Sequence, residues 1–369
     1  MKPKLKRRLT ILLALLLGGF VAWNAVAYRQ AWAMMHFTAD NIRTEKPENL
    51  ALGQKIKVLF CGVKLPRPHA SLSPDTVGPA CRAVTIPGAN GIKLGAWYCP
   101  APPEGGTPNS VRWPGASPST LPVGSSAFPR LPGPASNPLV ILFHGYSGDK
   151  TGLVPEARAF LDMGCSVLLV DFRGSGDSSE SYTTVGFYEA EDVAAAADYA
   201  RKQLPPARTI LYGDSMGAAA ILRAVAGCGA QPDAIIVEGI FDKMLNTVRH
   251  RFEVMGVPAF PSAQLLVFWG GVQFGFNGFA HNPVQYAAAV RCPILFLHGA
   301  ADPRAHLEDA RRVFAAVSAP KRFQEFPNLG HESAVARFPA GWKAAVGQFL
   351  QDAANKTVQQ ATASPLMGQ

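Results

Sequence analysis

Charged side chains are scarce in this sequence of 369 residues, since Asp, Glu, Lys and Arg together make up only 17% of it. Hydrophobic residues make up 48%, which is enough to bury a large core and excludes a highly charged, disordered chain. Five of the nine net positive charges lie in the first eight residues, and the remaining ones are scattered. No basic stripe is left to bind nucleic acid, so we expect no nucleic-acid partner.

Metal-binding spacings are also missing. The sequence has six cysteines and eight histidines but no Cys-x-x-Cys or His-x-x-x-His pair, so we predict no metal site and no cofactor. Cys165 and Cys292 each open an apolar run typical of a buried strand, where a thiol behaves as a small hydrophobic group. If the domain is exported and forms a disulfide, we expect it among Cys61, Cys81 and Cys99.

One long stretch without polar side chains is present near the N-terminus. Basic residues at positions 2, 4, 6, 7 and 8 precede the run from Ile11 to Trp23. Two interpretations stay open: a signal peptide cleaved near Ala27, or a membrane span over Leu9 to Ala27, which is almost the required length. We favour an uncleaved single-pass anchor over residues 1–35, with the basic end inside and the catalytic domain extracytoplasmic.

The rest of the chain divides into three predicted parts. Residues 36–80 are mixed in composition and are interpreted as a juxtamembrane collar, residues 81–355 as one domain, and residues 356–369 as a flexible tail. Inside the domain, residues 100–138 are dominated by Pro, Gly, Ser and Ala with almost no charge. That composition is typical of a flexible surface insertion.

Strand-like and helical segments alternate through the domain. The turn Gly88-Ala-Asn-Gly91 between two strand-like runs, Ala83 to Ile86 and Lys93 to Tyr98, predicts an antiparallel hairpin. Further along, apolar runs of strand length alternate with longer helical patterns as far as Leu350. This order predicts an α/β fold with a mostly parallel, doubly wound sheet, whose chemistry lies in the loops after the carboxyl ends of the strands.

A Gly-x-Ser-x-Gly sequence directly follows one of these strands. The run from Thr209 to Tyr212 continues into Gly213-Asp-Ser215-Met-Gly217, and three alanines come next. A turn that raises a serine hydroxyl above a sheet requires a glycine two residues away on either side, and small residues let the next helix pack closely. We therefore predict Ser215 as a nucleophile, with Gly213 and Gly217 shaping its turn.

A nucleophilic serine needs a histidine to take its proton and a carboxylate to orient that histidine. Asp302 follows the strand-like run from Ile294 to Leu297, and His331 follows the last predicted strand, so we predict these two as the acid and the base. Asp242 is an alternative acid. The other histidines considered precede the expected acid or lie in helical or loop segments: His144, His298, His250, His281 and His306.

Two backbone amides are predicted to stabilise an oxyanion. One donor should come from the residue after the nucleophile and the other from the loop after an earlier strand. Met216 supplies the first. His144-Gly145-Tyr146 follows the strand-like run from Leu139 to Phe143, and Gly145 would let the backbone approach a substrate closely, so the amide of Tyr146 is predicted as the second.

From about Ala83 to Leu350 the chain resembles the α/β-hydrolase superfamily, in particular its serine aminopeptidase-like and Bem46-like branch. The motifs that carry the resemblance are His-Gly after the third strand, Asp171-Phe-Arg-Gly-Ser-Gly after the fourth, Gly-Asp-Ser-Met-Gly at the turn, and Gly-x-x-Asp and Gly-His near the end. That branch contains esterases, lipases, thioesterases, peptidases and acyltransferases, so the resemblance implies the fold and the nucleophile but not the substrate.

Residues 239–290 are longer than a simple crossover and, by the resemblance, are interpreted as a helical lid; ordinary packing of a crossover is the alternative. They contain nine aromatic residues: Phe241, Phe252, Phe260, Phe268, Trp269, Phe274, Phe276, Phe279 and Tyr286. A lid with such a lining favours a small-molecule or lipid-like acyl substrate.

The sequence thus predicts a serine hydrolase that cleaves a carboxyl ester. Acyl transfer or amide hydrolysis by the same residues is the alternative, and a membrane-tethered binding module without activity is a remote one. We expect kcat/KM to rise with acyl length up to about six carbons and then to level off.

Overall fold

The computed structural model describes residues 3–45, 50–102, 137–204 and 206–363. The predicted insertion at 100–138 lies almost entirely outside the described residues, and so does Lys2.

Eight strands form one sheet in the order β1-β2-β4-β3-β5-β6-β7-β8. The pairings from β4 across to β8 are all parallel, and β2 pairs antiparallel with both β1 and β4. The predicted hairpin and the mostly parallel sheet are therefore confirmed. The strands are β1 (Arg82–Pro87), β2 (Lys93–Cys99), β3 (Leu139–Phe143), β4 (Ser166–Val170), β5 (Thr209–Asp214), β6 (Ala234–Glu238), β7 (Ile294–Gly299) and β8 (Lys321–Phe326).

Helices connect these strands and cover the sheet. They are α1 (Pro3–Met35), α2 (Leu52–Cys61), α3 (Val154–Asp162), α4 (Glu189–Gln203), α5 (Met216–Gly227), α6 (Met244–Met255), α7 (Ser262–Phe274), α8 (Pro283–Tyr286), α9 (Leu307–Ala316), α10 (Ala334–Arg337) and α11 (Pro339–Ala363). The last helix continues to Ala363, and the flexible tail expected from residue 356 stays a prediction.

The sheet is buried on both faces because successive side chains of its central strands enter two different cores. In β3, Ile141 and Phe143 join a core with α4 and α5, whereas Val140 and Leu142 join a core with α3 and α11. All five residues of β3 are buried. A strand that supplies both cores must be apolar throughout, which is why the central strands appear in the sequence as continuous hydrophobic runs.

Helix α1 is long and apolar enough to cross a membrane, and its most apolar 18-residue window has a mean hydropathy of 2.1 with no residue buried. Its last turns pack against α7. The indole of Trp269 donates to the Asn24 side chain (3.2 Å), and the Gln273 amide donates to the carbonyl of Tyr28 (2.9 Å). The C-terminal part of α1 therefore packs against the domain through α7.

A disulfide joins Cys81 to Cys99, at the open end of the β1–β2 hairpin. The register explains this pairing, since Arg82 lies opposite Tyr98 and the two cysteines are the next residues along. Cys165 is buried and unbridged, as its place at the start of an apolar strand predicted, and Cys292 is also unbridged.

Candidate active site

Ser215 lies in a sharp turn between β5 and α5, with φ 51° and ψ −105°. The two flanking glycines have no room for a side chain. A Cβ on Gly217 would lie 2.3 Å from the carbonyl oxygen of Phe143, and one on Gly213 would lie 2.5 Å from the amide nitrogen of Ala218. The turn is tight in the way that the Gly-x-Ser-x-Gly sequence predicted.

Three side chains predicted from different loops meet at this turn. Nε2 of His331 lies 3.1 Å from Oγ of Ser215, and Nδ1 of His331 lies 2.7 Å from Oδ2 of Asp302. The other carboxylate oxygen of Asp302 accepts from the amides of Arg304 (2.8 Å) and Ala305 (3.0 Å). Asp302 is thus held by its own loop, and its contact with His331 leaves Nε2 of that ring facing Ser215.

The electrostatics of this pair shift the pKa of both partners. Burial lowers the pKa of His331, but its hydrogen bond to Asp302 and the charge of that carboxylate raise it more, so the pKa lies above 6.5. Burial raises the pKa of Asp302, and the bond with His331 outweighs this effect, so that pKa is lowered. Asp214 contributes a further coulombic interaction that raises the pKa of His331.

A buried network under the site holds the loop that carries His331. The Glu238 carboxylate accepts from the amide of Ala334 (2.7 Å), the hydroxyl of Tyr212 (2.7 Å) and the indole of Trp342 (3.2 Å). Beside it, Glu156 accepts from the hydroxyl of Ser333 (2.6 Å). Burial raises the pKa of Glu238 to about 7 and that of Glu156 to about 8.

The loop after β3 lies against Ser215. A Cβ on Gly145 would be 3.6 Å from Cβ of Ser215, so the backbone there can approach a substrate bound at the serine. Nε2 of His144 accepts from the amide of Phe172 (3.1 Å), which leaves the proton on Nδ1, 2.8 Å from the carbonyl oxygen of Gly145. His144 therefore fixes the turn that carries Tyr146.

The two predicted oxyanion donors lie beside the same pocket as Ser215. Met216 is the first residue of α5, and amides in the first turn of a helix have no acceptor within the helix. Tyr146 lines this pocket, and the preceding Gly145 lies against Ser215. Their binding of an oxyanion stays a prediction.

The alternative acid and bases are engaged elsewhere. Asp242 accepts from Asn246 (2.9 Å) and Arg312 (2.8 Å). His298 lies 2.8 Å from the carbonyl oxygen of Ala305. His281 contacts the carbonyl oxygen of Val185 through Nε2 (3.0 Å), and burial lowers its pKa to about 4.

One group within the described part of the chain places metal-ligating atoms close together. His250, Glu253 and His306 each offer one such atom, and these atoms lie within 4.8 Å of one another. The two imidazole rings, however, are stacked with centroids 3.6 Å apart and an interplanar angle of 15°. Nitrogen lone pairs of parallel rings do not converge on one ion, as tetrahedral coordination requires, so we assign no metal to this cluster.

The pocket at Ser215 has a cavity volume of about 70 Å³ and is mostly aliphatic. Of the nine lid aromatics, only Phe241 and Phe276 line it, whereas Phe260, Phe268 and Phe279 are exposed. The aromatic lining expected from composition is therefore only partly present. The remaining side chains of the wall are supplied by Ala31, Met34, Met35, Tyr146, Val185, Met216, Met244, Thr247, Val248, Arg251, Leu266 and Val267.

Three lining residues come from α1, and sequence reasoning missed them. Ala31, Met34 and Met35 form one wall, and the hydroxyl of Tyr146 donates to the carbonyl of Met34. A Cβ on Gly270 of α7 would lie 3.0 Å from the sulfur of Met35. The only hint in the sequence is the pair Gly270-Gly271 in α7, since two adjacent glycines allow another element to pack closely against a helix.

The comparisons agree with this fold. The family model described as serine aminopeptidase, S33, matches residues 134–246. The uncharacterized protein Rv2307c of Mycobacterium tuberculosis is 26% identical over 75% of this chain and 80% of its own length. The uncharacterized protein YqkD of Bacillus subtilis is 26% identical over 59% and 72%.

Among solved structures, the esterase Pf2001 of Pyrococcus furiosus superposes with a TM-score of 0.59 at 20% identity, over 78% of this chain and 96% of the esterase. The chain therefore has the α/β-hydrolase fold, and its predicted resemblance to the α/β-hydrolase superfamily is confirmed.

Proposed function

We propose that this protein is a serine hydrolase that cleaves carboxyl esters with an apolar acyl group through an acyl-enzyme. The observation that carries the proposal is the continuous chain from Ser215 through His331 to Asp302, with contacts of 3.1 and 2.7 Å, at the edge of an apolar pocket. A nucleophile, base and orienting acid in contact are the arrangement that acyl transfer needs.

In the proposed mechanism, Oγ of Ser215 attacks the ester carbonyl carbon while Nε2 of His331 takes the hydroxyl proton. The amides of Met216 and Tyr146 hold the oxyanion, and Asp302 stabilises the imidazolium. The intermediate collapses as the C–O bond to the alcohol breaks and His331 returns the proton to that alcohol. Water then attacks the acyl-enzyme by the same route, which releases the carboxylic acid and restores Ser215.

The lining of the pocket favours esters over aminoacyl substrates. An aminopeptidase has to bind a protonated α-amino group, for which a carboxylate is the usual partner. None of the described residues that line the pocket is acidic, and its charged member is Arg251, which would repel an ammonium group. Acyl transfer uses the same residues and differs only in whether water or another acceptor reaches the acyl-enzyme.

The test is labelling by a fluorophosphonate probe together with turnover of p-nitrophenyl acetate. Ser215→Ala should lose labelling and lower kcat by roughly 10^4-fold or more. Ser318→Ala, at an exposed serine between α9 and β8, is the matched control and should behave as wild type. A Ser215→Ala protein that is folded and still turns over the ester at the wild-type rate would refute the mechanism.

A substrate panel separates the alternatives. We expect p-nitrophenyl esters to be cleaved at least tenfold faster than aminoacyl p-nitroanilides, because of the missing carboxylate. If the anilides are cleaved faster, the protein is a peptidase. If label is incorporated but neither class turns over until an added alcohol or amine acceptor is present, it is an acyltransferase.

We further propose that α1 remains attached as a single-pass anchor, with the catalytic domain outside. The apolar window of α1 supports the span, and the basic residues Lys4, Lys6, Arg7 and Arg8 before it support the orientation. The Cys81–Cys99 disulfide supports an oxidising compartment. A cleavage near Ala27 would cut α1 where it packs on α7, which favours the uncleaved form.

A further inference from the structure

Two apolar cavities lie next to each other along α1. The first is the pocket at Ser215, to which α1 contributes Ala31 and the residues that follow. The second has a volume of about 370 Å³ and lies between α1 and the neighbouring helices, where α1 contributes Ala22, Val26 and Ala27. Ala27 and Ala31 are one helical turn apart, about 6 Å along the axis. Leu266 of α7 lines both cavities, so they adjoin at that side chain.

The second cavity lies at the depth of the predicted membrane span. Ala22 and Val26 belong to the stretch from Leu9 to Ala27, which is long and apolar enough to enter a bilayer. The other walls of the cavity are also mostly apolar: Phe60 of α2, Phe252 of α6, and Leu266. A cavity with these walls at this depth is suited to a hydrocarbon chain.

Helix α7 is suited to contact lipid beside α1. It contains no Asp, Glu, Lys or Arg, and Phe268 and Val272 on its surface are about half exposed, at 47% and 51%. Phe260, just before its first turn, is 77% exposed. Exposed apolar side chains are typical of a membrane or partner surface, and the packing of α7 beside the predicted membrane span favours the membrane.

The orientation of α7 along α1 places the second cavity on the side of the predicted bilayer. The indole of Trp23 donates to Oγ of Ser262 in the first turn of α7 (3.2 Å), and Gln273 in its last turn donates to Tyr28 (2.9 Å). The first turn of α7 therefore lies beside the more N-terminal, membrane-embedded part of α1. From the N-terminal to the C-terminal end of α1, the predicted span comes first, the second cavity next and the pocket at Ser215 last.

We propose that the space between α1 and α7 is an acyl-binding groove, through which the chain of a membrane lipid passes from the bilayer to Ser215. The substrate is accordingly a long-chain acyl ester that stays in the membrane while its carbonyl reaches the serine. This inference rests on the proposed function, because it assumes that Ser215 attacks an ester. It goes beyond it by naming the source of the substrate and the route.

The groove changes the expected chain-length dependence. A pocket closed at Leu266 would give the levelling near six carbons that the sequence predicts. An acyl chain that continues into the second cavity makes further apolar contacts, each additional methylene giving at most about a fourfold gain. We therefore expect kcat/KM of the wild-type protein to keep rising beyond six carbons, at least as far as ten.

The experiment uses the full chain in phosphatidylcholine nanodiscs, with p-nitrophenyl acetate and p-nitrophenyl hexadecanoate as the probes. Ala22→Trp would fill the second cavity from an exposed position on α1. Ala25→Trp is the matched control, since Ala25 is also exposed on α1 but does not line the cavity. The readout is the ratio of kcat/KM for hexadecanoate to kcat/KM for acetate.

We expect Ala22→Trp to lower this ratio at least tenfold relative to wild type, and Ala25→Trp to leave it within twofold. Leu266→Trp, at the junction of the two cavities, should lower it as well, with a levelling near six carbons restored. Equal ratios in Ala22→Trp and Ala25→Trp would overturn the groove while acetate turnover still supported the hydrolase. Absence of turnover with both esters in the wild type would instead overturn the proposed function.

Discussion

Oδ2 of Asp302 lies 2.7 Å from Nδ1 of His331, and the second oxygen of this carboxylate is held by two backbone amides of its own loop. Asp302→Asn would keep the shape but remove the charge that stabilises the imidazolium. We expect kcat to fall by about 10^3- to 10^4-fold, measured with p-nitrophenyl acetate. Asp242→Asn is the comparison, because Asp242 is paired with Arg312 instead; an equal loss in both variants would argue against Asp302 as the acid.

The pH dependence should follow His331. The reaction requires the neutral imidazole, and the pKa of His331 is raised above 6.5 because its bond to Asp302 outweighs the effect of burial. We expect kcat/KM to fall on acidification with an apparent pKa above 6.5, measured from pH 5 to 9. In Asp302→Asn the midpoint of the residual activity should move to lower pH. A profile flat from pH 5 to 8, with chemistry rate-limiting, would point to another base.

Gly217 should not tolerate a side chain. A Cβ there would lie 2.3 Å from the carbonyl oxygen of Phe143 in the neighbouring strand, so Gly217→Ala must displace backbone at the turn. We expect loss of fluorophosphonate labelling and a destabilisation of roughly 2 kcal/mol or more, measured by thermal unfolding. Gly227→Ala, at the other end of α5, is the control, since its nearest neighbour would be a flexible Arg223 nitrogen at 3.7 Å. If both variants label equally, the steric argument is wrong.

The buried carboxyl of Glu156 makes stability depend on pH. Burial raises its pKa in the folded protein to about 8, so the folded state favours the protonated carboxyl, while the same group in the unfolded chain ionises above about 4.5. Its contribution to stability is therefore present at low pH and is lost as the pH rises towards 8.

Glu156→Gln cannot ionise and should gain at least about 1 kcal/mol relative to wild type between pH 5 and pH 8, measured by urea unfolding. Glu308→Gln, at an exposed position of α9, should show no such trend. A difference between wild type and Glu156→Gln that stays constant with pH would contradict a neutral Glu156.

The proposed anchor can be tested through membrane retention and orientation. If α1 is retained with its basic end inside, the protein should stay in the membrane after a carbonate wash, and protease added to right-side-out vesicles should digest the catalytic domain. Replacing Lys4, Lys6, Arg7 and Arg8 by glutamate should lower the fraction so oriented. Mature protein whose N-terminal sequence starts at Tyr28 would show cleavage and release instead.

The sheet and the meeting of Ser215, Asp302 and His331 could be predicted because parallel strands end at one edge, so residues just after those ends converge. The turn at Ser215 could also be predicted from the sequence, because only glycine fits at positions 213 and 217. The disulfide needed the hairpin register that places Arg82 opposite Tyr98, because three cysteines were candidates and only the register selects the partners.

Other features could not be predicted because they depend on contacts between distant segments. Met34 and Met35 look like the end of an apolar leader, and nothing near them in sequence indicates that α7 and Tyr146 pack there. The number of aromatic residues in 239–290 indicates how much apolar surface this segment has, but not which side chains point into the protein. Exposed Phe260 and buried Phe241 therefore could not be distinguished. Glu238 lies at the end of β6, and its three donors come from separate elements.

Because the last turns of α1 form a wall of the pocket at Ser215, the proposed anchor and the proposed hydrolase domain would not be interchangeable modules. A soluble version made by removing residues up to Met35 would lose that wall and admit water to the acyl pocket. Grafting the domain onto another transmembrane helix would likewise change its specificity, even with every catalytic side chain in place. A change in α1 would therefore alter both membrane attachment and substrate specificity, so the two properties would have to evolve, or be engineered, together.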